Sequence, residues 1–161
     1  MSDRSNEDKM TDVVTGLART PVYRVLLLAN LIGQPFFGRF GKHYDMTLNE
    51  WRTMLVVSQN PGISISGICH KSGLHIMNVS RGVKGLERRG RVMKKTDPDD
   101  RRRTVLELTE EGQAVFLDIA PEGLKWADEV FAALDEKETI LFNSLLTKLI
   151  DKIHAREKDV S

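Results

Sequence analysis

The densest cluster of charged side chains in this 161-residue chain is a group of acids followed directly by a group of bases. Residues 97–103, within "TDPDDRRRTVLELT", hold three aspartates and three arginines, with Pro98 among them. A guanidinium group can donate two parallel hydrogen bonds to a phosphate. The cluster is therefore either an ordinary solvated turn or a device for contacting a polyanion.

The charge around this cluster is unevenly distributed, although the whole chain carries a net charge of only +1. Residues 64–109 hold 11 Lys/Arg against 5 Asp/Glu, a net charge of +6, whereas residues 110–161 hold 6 against 12, a net charge of −6. Residues 1–63 contribute +1. A basic block within a folded sequence indicates a surface for nucleic acid.

The composition excludes several classes of protein. Hydrophobic residues make up 40% of the chain, enough for a core, and a single cysteine excludes an internal disulfide framework and a cysteine-based zinc site. That cysteine fits a reducing cytosol, so we expect a cytoplasmic protein. The longest apolar segment, residues 25–37, is interrupted by polar residues and is too short to span a bilayer, so we expect a buried helix and no membrane partner. We also expect no secretory signal and a disordered tail over residues 1–19.

A first helix is predicted over residues 20–46, with Thr20 as cap and Pro21 in the first turn. This helix is apolar on nearly every face, so burying its surface requires more neighbouring structure than a small domain can supply. Pro35 should kink or interrupt it. The next helix begins at a capping box formed by Thr47 and Glu50.

The basic block predicts a helix-turn-helix followed by a β-hairpin. A short helix over residues 64–71, a turn at residues 72–75 and a longer helix over residues 76–89 are followed by Gly90, which suits a helix end. Two short strands, residues 91–95 and 104–109, then flank the charge cluster. The connecting loop is longer than most hairpin loops, and such length at an exposed tip is often functional.

The last third is predicted to be helical, with Thr109 capping one helix, Pro121 kinking it, and Asp135 capping the final helix together with Glu138. The fold class is thus mainly α with a small β-hairpin wing. The domain boundaries are a tail at 1–19, a helix at 20–46, a winged helix-turn-helix at 47–108 and a helical region at 109–161.

Two motifs, "VSR.V..LE..G.V" from Val79 and "DP.DRR...L.LTEEG" from Asp97, resemble the core of the MarR family of bacterial transcription regulators in residue type and spacing. The resemblance implies a homodimer whose dimerisation region is built from helices of both termini. It also implies binding to a short palindrome in duplex DNA, usually as a repressor, with release by a small ligand or an oxidant.

If residues 76–89 form the recognition helix, Val79, Val83 and Leu86 face the core. Arg81 is the best candidate for guanine and Asn78 for adenine, because their side chains can form paired hydrogen bonds with base edges. Gly82 and Gly85 weaken the helix and allow close approach of DNA or of a neighbouring helix; the sequence leaves both open. Further candidate DNA contacts, mostly to phosphate, are Lys71, His75, Met77, Ser80 and Lys84.

In the family pattern, Arg102 is the wing-tip arginine that enters the minor groove, and Asp100 orients it through a salt bridge. Arg101 and Arg103 are then phosphate contacts or partners at the strand ends. The family also implies an effector site beside the dimerisation helices, for which an aromatic acid is a plausible ligand. Polar or amphipathic residues near the expected place are His43, Tyr44, Trp51 and Arg52.

Other functions have weaker support in the sequence. A calcium loop starting at Asp97 would need Gly at its sixth position and Glu at its twelfth, where Arg102 and Leu108 stand. The four histidines have no metal-ligand spacing, and no cofactor or nucleophile–base motif points to an enzyme. A redox-responsive regulator acting through Cys69, or a winged-helix protein-interaction module without specific DNA binding, are the alternatives that stay open.

Overall fold

The structure, a computed structural model, describes the backbone of residues 6–160 and the side chains in that range except residues 7–9, 12–13, 35–40 and 157–160. The described elements, in chain order, are α1 (Asn6–Ala18), α2 (Pro21–His43), α3 (Leu48–Gln59), β1 (Ile63–Ser64), α4 (Ile65–Ser72), α5 (Ile76–Arg88), β2 (Val92–Thr96), β3 (Thr104–Leu108), α6 (Glu110–Phe131) and α7 (Glu136–Val160). The predicted fold class, mainly α with a small β-hairpin, is confirmed.

The hairpin belongs to a three-stranded antiparallel sheet with the order β1-β3-β2. Strands β2 and β3 pair from Val92 opposite Leu108 to Thr96 opposite Thr104. Strand β1 pairs with the far side of β3, with Ile63 opposite Leu106. The sequence did not predict β1, because two residues are too few to show an alternating pattern.

Local capping signals in the sequence are confirmed by hydrogen bonds. The Thr47 hydroxyl accepts from the Glu50 amide at 3.2 Å, and the Glu50 carboxylate accepts from the Thr47 amide at 2.7 Å. Thr109 accepts from the Gly112 amide at 3.0 Å, and Asp135 caps α7 in the same way. These motifs were predictable because each involves residues only three positions apart.

The expectation of a disordered N-terminal tail was wrong. Residues 6–18 form α1 instead of a disordered tail, because Met10, Val14 and Leu17 recur at helical spacing among the polar residues. Residues 1–5 lie outside the described part of the chain. Pro35 lies within α2 without interrupting it, and Pro121 lies within α6; the kinks expected at these prolines stay predictions. Each proline removes one backbone hydrogen bond, and the residue four positions earlier is exposed in both cases, so water can reach the freed carbonyl.

The winged helix-turn-helix surrounds a small aliphatic core. Helices α3, α4 and α5 and strand β3 bury their apolar side chains against one another, and α6 adds Ile119. Fully buried members of this core are Met54, Val57, Ile68, Val79, Val83, Leu86, Leu106 and Ile119. The predicted inward face of α5 is confirmed by Val79, Val83 and Leu86, none of which is more than 1% exposed.

The two glycines of α5 allow this helix to lie very close to α3. A Cβ at Gly82 would approach the Thr53 hydroxyl to 2.8 Å, and one at Gly85 would overlap the Glu50 carboxylate. The sequence left open whether these glycines allow close approach of DNA or of a neighbouring helix. The structure shows that they allow close approach of α3. Both glycines are buried in the contact with α3.

The chain divides into two units, one of residues up to Ile119 and one of residues from Ala120 onward. The first contains the winged helix-turn-helix. In the second, the rings of Phe131 and Phe142 pack at a centroid distance of 5.9 Å. No helix within residues 6–160 is both long enough and apolar enough to cross a membrane.

Gly85→Ala should lower the free energy of unfolding by about 1–3 kcal/mol, because the new methyl group must displace a buried carboxylate from a packed contact. Gly123→Ala is the matched control, because Gly123 lies in α6 and a methyl group there would meet nothing within 4 Å. The change at Gly123 should raise the free energy of unfolding by about 0.5–1 kcal/mol, because alanine has a higher helix propensity than glycine. Urea unfolding measures both, and equal effects of the two changes would contradict the close α3–α5 contact.

Candidate nucleic-acid interface

The outer face of α5 presents most of the predicted DNA contacts to solvent. His75, Met77, Arg81 and Lys84 are exposed, and Lys71 is exposed on α4. Asn78 and Ser80 are half-buried. The opposite face of the helix is packed into the core. The geometry therefore leaves a polar, basic helix face available to a ligand.

His75 has a structural position that the sequence did not predict. It is the N-cap of α5, and its Nδ1 accepts a hydrogen bond from the Met77 amide at 3.3 Å. Gly73 before it has φ +65°, a left-handed conformation that ends α4 and turns the chain toward α5. The turn thus fixes the start of the helix that carries Arg81.

The other end of α5 is held by Arg89, its C-cap residue. Its Nη1 donates to Glu50 Oε1 at 2.9 Å and to the Gly85 carbonyl at 3.0 Å. Its Nε and Nη2 contact Asp45 Oδ2 at 2.9 and 2.8 Å. One guanidinium therefore joins α5 to α3 and to the segment between α2 and α3. Sequence patterns gave no signal for this cluster, because Glu50 and Arg89 are 39 residues apart.

Asp97 organises the wing. Its Oδ1 accepts hydrogen bonds from the amides of Asp99 at 2.9 Å and Asp100 at 3.4 Å, and its own amide donates to the Arg103 carbonyl at 3.0 Å. An aspartate that accepts from amides two and three residues later replaces backbone hydrogen bonds within a turn. The tip is therefore folded by Asp97, a role that the sequence left undefined.

The predicted salt bridge between Asp100 and Arg102 is wrong. Asp100 Oδ1 accepts from the backbone amide of Arg102 at 3.0 Å, and no ion pair joins these two side chains in the described structure. The tight turn places the Asp100 carboxylate beside the backbone amide of Arg102, so the carboxylate binds this amide and not the guanidinium group. The Arg102 side chain is exposed.

The remaining basic residues of the hairpin differ in their partners. Arg103 Nε lies 3.9 Å from Asp97 Oδ2, and the Arg103 side chain is still 58% exposed. Lys94 pairs with Glu87 at 2.8 Å and Lys95 with Glu107 at 2.5 Å, across the α5–β2 and β2–β3 contacts. Arg101 is exposed at the tip.

Two of the residues proposed for an effector site, Tyr44 and Trp51, contact α6. The Tyr44 hydroxyl donates to Asp118 Oδ2 at 2.5 Å, and His43 contacts the Tyr44 ring edge-on at a centroid distance of 4.6 Å. Trp51 stacks on Phe116 at 5.5 Å. Arg52 is half-buried.

Asp118 changes the protonation chemistry of Tyr44. The carboxylate that accepts its hydrogen bond, aided by desolvation and by negative charge, raises the pKa of the Tyr44 hydroxyl above the ordinary value of 10.0. The raised pKa means that this hydrogen bond stabilises the fold fully below pH 10.0. Its contribution is lost as the pH rises through the raised pKa.

A cleft of about 420 Å³ opens beside Phe116 but does not include the four proposed residues. Its walls come from the end of α3, from β3 and from the first turns of α6, and they are mainly apolar. The residues that line it are Val57, Ser58, Gln59, Pro61, Glu107, Leu108, Gln113, Phe116 and Leu117. Phe116 is thus shared by the cleft and by the Trp51 stack.

Cys69 lies on α4, half-buried and packed against the core. In the part of the chain that the structure describes, no three His, Cys, Asp or Glu side chains converge as metal ligands.

The sequence model of the MarR family matches residues 46–104. The curated protein HTH-type transcriptional regulator Hpr from Bacillus cytotoxicus is similar to this chain, with 32% identity over 81 residues, 50% of this chain. The chain thus spans only 44% of the length of that relative.

Solved structures are similar over more of the chain. A MarR/EmrR family transcriptional regulator from Acinetobacter sp. ADP1 has a TM-score of 0.76 and 25% identity, and the match covers 83% of this chain and 94% of that one. The MepR–DNA complex of S. aureus has a TM-score of 0.71 and 20% identity, covering 83% and 96%. NadR in complex with 4-hydroxyphenylacetate has a TM-score of 0.71 and 19% identity, covering 93% and 98%. With 20% and 19% identity, the MepR and NadR structures show a similar fold and nothing more.

Proposed function

We propose, because the MarR family model matches residues 46–104, that the chain is a cytoplasmic transcription regulator that binds double-stranded DNA. It acts as a homodimeric repressor on a palindromic operator and is released by a small-molecule effector. The family consists of transcription regulators and not of enzymes. The observation that carries the proposal is the exposed face of α5, which presents Arg81 and Lys84 while its other face is buried.

The recognition helix α5 enters the major groove with its N-terminal half. Arg81 contacts guanine and Asn78 contacts adenine, because each side chain can match the hydrogen-bonding pattern of that base. The surrounding residues position the helix through phosphate or sugar contacts, which add affinity and little sequence information. This group consists of Lys71, His75, Met77, Ser80, Lys84, Arg101 and Arg103.

The wing places Arg102 in the minor groove. Its side chain is exposed beyond a turn that Asp97 and Asp100 fold through their backbone contacts. Arginine is favoured in narrow, AT-rich minor grooves, where the negative potential is strongest. Support for this role comes from the exposed position and from the fold shared with the MepR–DNA complex.

Arg81→Ala should weaken binding to the operator by about 1–3 kcal/mol and relax the base preference at one position, because a paired contact to a base edge is lost. Arg102→Ala should lower the slope of log Kd against log salt concentration by about 1. Fluorescence polarisation with duplexes from around the gene, over a range of salt concentrations, measures both effects.

Lys137→Ala is the control, because it removes an exposed positive charge from α7 and should change neither the base preference nor the slope. If no palindromic duplex binds more tightly than random duplex, the repressor proposal fails. A winged-helix module for protein interactions then becomes the better hypothesis.

Exposed apolar faces of the helices support association with a second copy. Helix α2 exposes Leu26 by 59% and Leu31 by 49%, and α7 exposes Leu145 by 50% and Leu149 by 57%. Large contiguous apolar surfaces on a single chain usually mark interaction sites, and cyclic dimers are the commonest solution. Other exposed apolar residues of α2 and α7 are Val22, Val25, Leu27, Leu28, Ile140, Leu141, Ile150 and Ile153.

Light scattering should give a mass of about twice the 18.2 kDa of the chain. Leu145→Glu should shift it toward the monomer, because a charge would be buried in an apolar contact. Thr147→Glu is the control, two residues along on the opposite side of α7. A monomeric wild-type protein at micromolar concentration would refute the homodimer.

The effector is proposed to be a small aromatic acid. NadR has been solved with 4-hydroxyphenylacetate, and in this chain Tyr44 and Trp51 would offer aromatic faces and Arg52 a cation to such a ligand. Asp118 would repel the carboxylate of the acid, so that group should point toward Arg52.

At a hundred-fold excess over Kd, 4-hydroxyphenylacetate should raise the Tm by about 5–10 °C. It should also weaken operator binding. Arg52→Ala should abolish both effects, whereas benzyl alcohol, which lacks the carboxylate, should produce neither. A Tm unaffected by the acid, or a response that Arg52→Ala leaves intact, would contradict this ligand class and site.

A further inference from the structure

The cluster of Asp45, Glu50 and Arg89 joins the recognition helix to the segment between α2 and α3. We infer that Arg89 is a positioning residue for DNA recognition, and that its contact with Asp45 is the adjustable part of the cluster. The inference rests on the proposed function, because α5 is the helix that would contact bases. It assigns a role to residues that do not touch DNA themselves.

The Glu50 side of the cluster is buried and fixed. The Glu50 side chain is only 6% exposed, and its carboxylate accepts from the Thr47 amide at 2.7 Å, the Thr47 hydroxyl at 3.0 Å and Arg89 Nη1 at 2.9 Å. A buried carboxylate is tolerated only when its hydrogen bonds are satisfied. Arg89 therefore stays beside Glu50 as long as the domain is folded.

The Asp45 side of the cluster is exposed. The Asp45 side chain is 86% exposed, and one of its oxygens accepts from both Nε and Nη2 of Arg89. Exposed ion pairs contribute little to stability, so this contact can break while the fold persists. The Arg89–Glu50 contact is thus stronger than the Arg89–Asp45 contact, so the second can break while the first persists.

Asp45 itself has an unusual backbone conformation. Its φ is +46°, the one positive φ at a non-glycine residue in the described part of the chain. Aspartate tolerates the left-handed region better than most residues, at some energetic cost. Its conformation depends on the turn between α2 and α3, so a shift of this turn would move the carboxylate away from Arg89.

The neighbouring residue connects the same turn to α6. Tyr44 donates to Asp118 on α6 at 2.5 Å, while Asp45 contacts the end of α5. Two consecutive residues therefore hold the turn against two different helices. A change at the Tyr44–Asp118 contact would reach α5 through Asp45 and Arg89, and Gly85, whose carbonyl also accepts from Arg89, is in the last turn of that helix.

The test uses the full-length chain with Asp45→Asn, which keeps the side-chain size and tolerates a left-handed φ. Amide hydrogen exchange over residues 85–89 of the free protein should rise about three-fold, and Tm should fall by less than about 2 °C. The ratio of random-duplex to operator Kd should fall at least three-fold, with an unchanged salt slope.

Asp128→Asn is the matched control, because it removes the same charge from an exposed position on α6. Loss of a negative charge alone should strengthen binding to every duplex alike and leave the Kd ratio unchanged, so a lower ratio for Asp45→Asn cannot be a charge effect. Asp45→Glu restores a carboxylate and should recover part of the operator preference.

Two results would overturn the inference. Unchanged exchange at residues 85–89 would show that Asp45 does not hold α5, and increased exchange with an unchanged Kd ratio would show that this restraint does not serve recognition. If the wild-type protein prefers no duplex, the proposed function fails separately. The exchange measurement then still decides whether Asp45 restrains α5.

Discussion

The buried carboxylate of Glu50 is the constraint on which the winged helix-turn-helix depends. One of its oxygens accepts a hydrogen bond from the Thr47 amide in the capping box of α3. The other accepts from Arg89 at the end of α5. Because the carboxylate occupies the space beside Gly85, a side chain at that position would displace it. Thr47, Glu50, Gly85 and Arg89 are therefore one structural unit, although they come from two helices. The orientation of the exposed face of α5 follows from this contact.

Features encoded within a few residues could be predicted, and those that join distant residues could not. The Thr47 capping box, the left-handed Gly90 after α5 and the pairing of β2 with β3 were all visible in the sequence. The two-residue strand β1 was missed, since its partner Leu106 lies far along the chain. Likewise, no local pattern indicates that Arg89 reaches Glu50, because this contact exists only after α3 and α5 have packed.

The candidate site shows the same division. Residue types predicted the basic character of α5 and the wing, and the periodicity of Val79, Val83 and Leu86 predicted which face stays exposed. The function of each carboxylate in the wing was not predictable, because Asp97, Asp99 and Asp100 are chemically identical. Their roles depend on which amides the turn brings within hydrogen-bonding distance, and there Asp97 accepts two such bonds.

The roles proposed for the wing and for α5 differ, because their charges are arranged differently. Residues 97–103 carry three acids and three bases, so they add no net charge to the +6 of residues 64–109. Long-range attraction of a polyanion must therefore come from the helix-turn-helix and β2, while the wing acts at short range. Within it, acids that bond to backbone amides give the tip a defined shape, which a loop of bases alone would lack. In the proposed complex, such a wing orients Arg102 toward the minor groove, and the repulsion between its acids and phosphate is a small cost. The same acids keep the loop from being attracted to every nearby phosphate.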